Sequence, residues 1–411
     1  MAHLFIVDET TFKIHLEYMF AGTGAKEVPT DFIFNPNYDW GSNFSKKQIT
    51  FNEKRSVDMM TDLCRIRKND KIIFFVQGIS KFFGIFRAKD DFFVDPNDKD
   101  NFLKNELGKI LTYRILIEPD EVYEKGVSEF DYLDLLEGIE HPDQLCWSLI
   151  YRKLGANRGC TMITEAEFEL FKKRLKSVEG NKIIKSENLS YDKKNKLIIA
   201  TNSAHSYSGR KINVENYLYA NTNKKYNQGF AFEHYLQHLT IRKLKSNDYS
   251  DILHNNGNIT WLGNEVMCSV GEHRIDVLAI QELNETVDIS IIELKYTEIP
   301  DGIIEQLNKY IYWVKYYIVP YYKRKGKKVN VYPIVICSNI LTKHKARTIN
   351  KLKDLEEKVE KTDWSMYNDS QYIVNNAKII HFIYDGKNIS IQKKWRLFLH
   401  FFKYHNIFVF K

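Results

Sequence analysis

Gly271-Glu-His-Arg-Ile-Asp-Val-Leu-Ala-Ile280 is followed by the polar turn Glu282-Leu-Asn-Glu-Thr286. Then comes Val287-Asp-Ile-Ser-Ile-Ile-Glu-Leu-Lys-Tyr296. Both apolar runs are rich in β-branched and aliphatic residues, and turn formers separate them, so the stretch predicts two strands of a hairpin. A turn centred between Asn284 and Glu285 sets Asp276 directly opposite Glu293. Lys295 stands two residues past Glu293, and the strand period of two puts it on the same face. A slip of one residue would turn Asp276 to the other face.

Two carboxylates opposed across strands destabilise a sheet. Burying them among apolar neighbours adds a desolvation cost unless something compensates. A divalent cation is the simplest compensation. Mg²⁺ and Mn²⁺ prefer oxygen ligands, carboxylates among them. Lys295 would then lie beside the ion, placed to orient or deprotonate a water or to offset charge on a phosphate. An acidic-x-Lys tripeptide alone is a common strand ending, so the flanking elements must carry the rest of the argument.

Upstream, the region from Gly229 to Leu244 predicts an amphipathic helix with Phe232, Leu236 and Leu239 on its stripe and Glu233 at the stripe's edge. Two strand-like pieces, Asn258–Leu262 and Glu265–Val270, lead into the hairpin. Downstream, Pro300-Asp-Gly302 makes a break before a helix over Ile303–Tyr317. There Gln306 and Tyr310 share a face, with Trp313 and Tyr317 continuing it. A basic loop (Lys323–Lys328), a strand (Val329–Cys337), a charged helix (Lys343–Lys361) and a hairpin pairing Lys378–Tyr384 with Asn388–Gln392 complete the order. This is an α/β pattern with a mixed sheet flanked by helices.

At these residues the chain resembles the PD-(D/E)xK nuclease superfamily, which has the restriction-endonuclease-like fold. The matching positions are Glu233 on the opening helix, Asp276 on one strand, and Glu293 and Lys295 on the next. Gln306-Leu-Asn-Lys-Tyr310 is similar to the Gln-x-x-x-Tyr of the RecB-like branch. Ile275, and no Pro, precedes Asp276. The resemblance covers roughly residues 229–340. It implies that Asp276, Glu293 and the Leu294 carbonyl hold Mg²⁺, with Mn²⁺ able to substitute. It further implies that Glu233 orients a water or helps hold a second ion, and that Lys295 assists the attacking water. Gln306 and Tyr310 would position the metal-site groups or the DNA strand.

The first domain, about residues 1–176, reads as a small α+β β-barrel. It has a short strand at His3–Val7, a mixed segment over Thr11–Phe20, a hairpin of Lys71–Val76 with Phe82–Arg87, and a strand at Leu111–Ile117. Thr164 and Glu167 form a capping box opening a helix. The run from Leu63 to Val76, then Phe83-Gly-Ile-Phe86, resembles EVE and other PUA-like domains, with Asn69-Asp70 where that family usually has Gly-Asp. The resemblance implies a nucleic-acid reader that takes a base, often a modified one, into an aromatic pocket. Tyr38, Trp40 and Phe44 are the candidate stacking residues, since a flipped base needs π-faces; loop packing is the alternative for each. Lys46, Lys47, Lys54, Arg55, Arg65 and Arg67 are candidates for phosphate contact.

Length and charge bound the rest. The 411 residues suit two domains, here 1–176 and 227–411, with a polar connector over 177–226. The 60 Lys+Arg against 53 Asp+Glu permit a polyanionic partner without demanding one. Cys64, Cys146, Cys160, Cys268 and Cys337 are scattered with no zinc-binding spacing. No basic n-region opens the chain and no apolar run reaches membrane-spanning length, so a cytoplasmic protein with no membrane association is expected. The aromatic tail, Trp395–Phe410, is either a dimer surface or core. The functional expectation is a restriction-type, Mg²⁺-dependent endonuclease acting on DNA, working as a homodimer and dependent on a recognised base, modified or unmodified. A repair nuclease for single-stranded or branched DNA and a non-catalytic nucleic-acid binder are the alternatives.

Overall fold

The computed structural model describes residues 1–24, 45–95, 100–134, 136–146, 159–213, 232–247, 249–268, 273–338, 349–384 and 389–392. The proposed base-stacking residues Tyr38, Trp40 and Phe44 lie outside them, as does the aromatic tail.

The first half is built on one sheet. Its strands are Ala2–Val7 (β1), Phe20–Thr23 (β2), Lys71–Val76 (β3), Lys81–Ala88 (β4), Phe93–Val94 (β5), Tyr113–Pro119 (β6), Val127–Ser128 (β7) and Cys160–Ile163 (β8). The order is β2-β6-β4-β3-β1-β8, with β5 on β6 and β7 on β4, curled into a half-barrel. β1 and β3 are parallel. β3 and β4 form the expected hairpin, closed by a short 3₁₀ turn at Gln77–Ile79. The segment after β1 is a helix, Glu9–Glu17 (α1), capped by Asp8, whose carboxylate accepts the Thr11 N–H at 2.7 Å. Lys46–Cys64 (α2) starts at a reciprocal Ser45/Gln48 capping box, and Glu165–Ser177 (α3) at the predicted Thr164/Glu167 box.

Both faces of the central strands are covered. Phe5 and Phe74 pack with Phe12 of α1 and Met60 and Leu63 of α2. Leu4, Ile73 and Phe75 pack with Phe171 and Leu175 of α3. This double burial explains why β3 and β4 read as nearly unbroken apolar runs. The connector region carries a two-stranded piece, Leu189–Asp192 (β9) with Leu197–Ala200 (β10). Leu189, Tyr191 and Ile198 enter the first core, and Tyr191 meets the Phe12 ring edge-on at 5.1 Å.

The second half holds a mixed sheet of Ile259–Met267 (β11), Arg274–Glu282 (β12), Thr286–Leu294 (β13), Lys328–Ser338 (β14), Tyr372–Val374 (β15), Lys378–Tyr384 (β16) and Ile389–Gln392 (β17). Its order is β11-β12-β13-β14-β16-β17, with β15 on β14. β11 is one strand where two pieces are expected; a register shift after Ile259 and a left-handed Glu265 (φ 50°) bend it. β12 and β13 pair antiparallel from Val277 opposite Ile292 to Glu282 opposite Val287, the register set by a turn between Asn284 and Glu285. β13, β14 and β16 run parallel. Helix Phe232–Lys245 (α4) covers one face through Leu236, Ile241 and Leu244, packed with Ile292 and Leu294. Helix Ile303–Tyr317 (α5) covers the other through Ile303, Leu307 and Ile311, packed with Ile289 and Ile291. Val319–Arg324 (α6) and Ile349–Glu360 (α7) follow.

The halves share a buried polar seam. Arg65 is fully buried, donates to Asp62 at 2.8 Å and reaches Asn264 of β11, which itself donates to Asp62 at 3.0 Å. The Trp261 indole donates to the Ile163 carbonyl at 2.9 Å. Arg65 is therefore a structural residue and cannot meet a phosphate, and Arg67 points its guanidinium at the Ile259 carbonyl. The stretch expected as a basic loop is partly α6, and its first three cations are engaged. Lys323 pairs with Asp369, Arg324 with Asp143 and Lys325 with Glu169. The last two pairs tie α6 to the first half.

Candidate active site

Asp276 and Glu293 lie one residue beyond the Val277–Ile292 pair, at corresponding positions of β12 and β13. Strand alternation puts Glu293 on the face of Ile289 and Ile291, the one covered by α5. Glu293 is 1% exposed, whereas Asp276 is only partly buried, so the pair opens to solvent on the Asp276 side. The Leu294 N–H donates to Asp276 Oδ2 at 2.7 Å, which sets the Leu294 main chain against that carboxylate.

One oxygen of Glu293 is crowded with donors. Lys295 Nζ donates to Glu293 Oε1, and so does Gln306 Nε2 at 2.7 Å. Gln306 Nε2 also reaches the Tyr310 hydroxyl at 2.7 Å, and that hydroxyl donates to the Arg274 carbonyl at 2.6 Å. The i, i+4 spacing on α5 thus links β12 to β13 through two side chains. Glu293 Oε2 is buried and has no hydrogen-bond partner among the described residues. A buried oxygen left in this state calls for a specific cause.

The electrostatics agree. Burial first, and then the charge of Glu293, holds the Asp276 carboxyl well above the usual range. Burial also raises Glu293, against the opposing pull of Lys295. Burial alone would lower Lys295, but the charges of Glu293, Asp276 and Glu233 raise it above the ordinary lysine value. Two carboxyls that burial holds against ionisation are groups that a bound cation would bring to their charged form. The site's oxygen donors fit a hard divalent cation such as Mg²⁺, and the vacant lone pairs of Glu293 Oε2 offer a ligand position.

Glu233 sits half-buried in the first turn of α4, near enough for its charge to act on both Glu293 and Lys295. So the structure gathers Glu233, Asp276, Glu293, Leu294, Lys295, Gln306 and Tyr310 at one place. It also adds a residue that sequence reasoning missed. Gln237 is buried one helical turn after Glu233, and its Nε2 donates to the Asp276 carbonyl oxygen and to Glu265 Oε1, both at 3.0 Å. The signal was present in the i, i+4 spacing from Glu233.

α4 is itself held by the first half. His234 pairs with Asp58, the Tyr235 hydroxyl donates to Glu53 at 2.7 Å, and His238 Nδ1 lies 3.3 Å from the Thr61 hydroxyl. All three partners are on α2, so the helix that carries Glu233 and Gln237 is clamped between the two halves. Among the described residues no helix is long and apolar enough to cross a membrane. No protein-family model matches the chain, and no curated protein matches it.

Proposed function

We propose that the chain is a metal-dependent DNA endonuclease of restriction type, with its second half hydrolysing phosphodiesters and its first half reading a base, modified or unmodified. The observation that carries the proposal is the opposed Asp276–Glu293 pair, with a buried, unpartnered Glu293 Oε2 beside Lys295. A stable fold has no use for such a pair unless a cation joins it. Asp276 and Glu293 would hold Mg²⁺ or Mn²⁺, which supplies Lewis acidity toward the phosphate and the attacking water.

The chain's own groups do the rest. Gln306 and Lys295 hold Glu293 Oε1, which would leave Oε2 available to ligate a metal ion. Tyr310 fixes Gln306 against the strand that carries Asp276. Lys295 keeps a positive charge at the place where the phosphate gains negative charge during attack. Gln237 braces the main chain of Asp276 from the opposite helix. The α2–α4 clamp supports a link between reading and cleavage, because α2 belongs to the reading half.

The test is cleavage of matched plasmids, either unmodified or carrying methylated or hydroxymethylated cytosine, with Mg²⁺ or Mn²⁺. Lys295→Ala is run in parallel and is expected to lose at least ~10²-fold in rate, the scale of a removed charge-stabilising group. Cleavage of one modified set only, lost in the variant, supports the whole proposal. Cleavage of every plasmid keeps the nuclease and removes base reading. Tight duplex binding with no cleavage under any condition overturns the catalytic reading.

A further inference from the structure

A third acid belongs to the row that Asp276 and Glu293 begin. The β11–β12 register pairs Asn264 with Val277 and Val266 with Ile275, which sets Glu265 at the position facing Asp276. Asp276 faces Glu293 on its other side, one residue beyond the Val277–Ile292 pair. Three carboxylates therefore follow one another across β11, β12 and β13. The charge of Glu265 acts on Asp276, as that of Glu293 does.

The two outer acids are compensated in different ways. Glu293 Oε2 has no hydrogen-bond partner among the described residues, whereas both oxygens of Glu265 are engaged. Glu265 Oε1 accepts Gln237 Nε2 at 3.0 Å, and Oε2 accepts Arg274 Nη1 at 3.2 Å. Like charges at facing positions cost stability. On the Glu265 side the chain's own donors offset that cost, so Glu265 is built to hold neighbours.

We infer that Glu265 is a positioning residue for the paired acids, acting on Asp276 through Gln237 and on Glu293 through Arg274 and Tyr310. The inference rests on the nuclease reading of that pair. On the first route, the Gln237 Nε2 held by Glu265 also donates to the Asp276 carbonyl at 3.0 Å. Gln237 Oε1 is buried with no hydrogen-bond partner among the described residues, so the Nε2 contacts orient the amide. On the second route, the Arg274 carbonyl accepts the Tyr310 hydroxyl at 2.6 Å. Tyr310 meets Gln306, which donates to Glu293 Oε1 at 2.7 Å. The two routes meet at Glu265.

The backbone points the same way. Glu265 has φ 50° inside a strand, a left-handed conformation that a residue with a Cβ enters at a cost. Such residues persist where their surroundings over-determine them, and they gather at functional sites. Here Gln237 and Arg274 fix the side chain from a helix and from the neighbouring strand.

The test is Mn²⁺ binding to the full-length chain, followed by loss of the free-ion paramagnetic resonance signal, with the Tm of each protein recorded alongside. Glu265→Gly adopts φ 50° without strain, which offsets part of the lost contacts and favours folding. Its Mn²⁺ affinity should fall at least ~10-fold, the scale of a lost supporting contact at a metal site. Glu265→Gln, whose amide oxygen still accepts the Gln237 N–H, should lose less. Adding Gln237→Leu to Glu265→Gly should cost less than the two single losses multiplied, because contacting residues on one route are coupled. Unchanged affinity in Glu265→Gly overturns the inference, and so do fully multiplicative losses. An equal loss in Glu265→Gly and Glu265→Gln overturns it too, since that marks a metal ligand. Wild-type protein that binds no Mn²⁺ overturns the metal reading itself and this inference with it, so the two failures are told apart.

Discussion

Replacing Asp276 by Asn should make the metal-free protein more stable and at the same time inactive. The side chain keeps its shape, and its amide oxygen still accepts the Leu294 N–H that lies 2.7 Å from Asp276 Oδ2. What disappears is a charge set opposite Glu293 at a partly buried position. Like charges facing across strands cost up to about 1 kcal/mol, and removing them gives that back. For a unit of this size, 1 kcal/mol corresponds to about 2–4 °C in Tm.

The gain must depend on pH. The folded pKa of Asp276 is raised, so folded wild-type protein retains a proton that the unfolded chain releases near the usual value of about 4. Wild-type stability therefore falls as pH rises from there through the folded pKa, and stays low above it. The advantage of Asp276→Asn should be absent at about pH 4 and full at neutral pH. Added Mg²⁺ or Mn²⁺ should reverse the order. A ligand at 100 times its Kd stabilises the wild type by about 2.7 kcal/mol, and the variant should gain little. Differential scanning calorimetry across pH, with and without metal, measures all of this. A lower Tm for Asp276→Asn in metal-free buffer at neutral pH, or equal metal stabilisation of both proteins, would refute the reasoning.

Three other outcomes are expected. Burial lowers the pKa of His3 to about 4, and those of His15 and His238 to about 3, from an ordinary 6.5. The unfolded chain then binds more protons, so overall stability should fall as pH drops from about 6.5 toward 4 in urea titrations; a flat profile would show that these rings are solvated. Tyr235→Phe removes the hydroxyl that donates to buried Glu53 across the α2–α4 contact. It should cost about 1–3 kcal/mol and lower cleavage as well, which calorimetry and the plasmid assay together would detect. Gln237→Leu keeps the packing volume but withdraws the donor to the Asp276 carbonyl. Metal-dependent cleavage should drop about tenfold, the scale of one lost supporting contact at a metal site, with less change in Tm than in Tyr235→Phe.

The parts of the site that could be read directly are those spaced by a local period. A turn between Asn284 and Glu285 and the alternation of a strand are enough to set the register of β12 on β13. The i, i+4 repeat of a helix is enough to set Gln306 beside Tyr310. The helix Ile303–Tyr317 and the capping box at Thr164 follow from similarly short-range rules. Reading was weaker where burial covers both faces or where the backbone bends. β11 looked like two pieces because a register shift and a left-handed Glu265 interrupt its pattern.

Sequence alone thus determined the mixed α/β character of the second half, its hairpin register and the common face of its acids, because each follows from bonds and repeats within a few residues. Tertiary structure decided what lies across the chain. It made Arg65 a buried partner of Asn264, 199 residues away, when composition offered it to phosphate. It turned the cations of Lys323–Lys325 toward acids on other elements. It set α2 against α4, placed Gln237 behind Asp276, and gathered Cys337, Glu356 and His381 from two strands and a helix. No periodicity encodes such meetings. They arise when two sheets and their helices bury apolar faces together, and each polar group caught in the seam must find a partner there or remain without one.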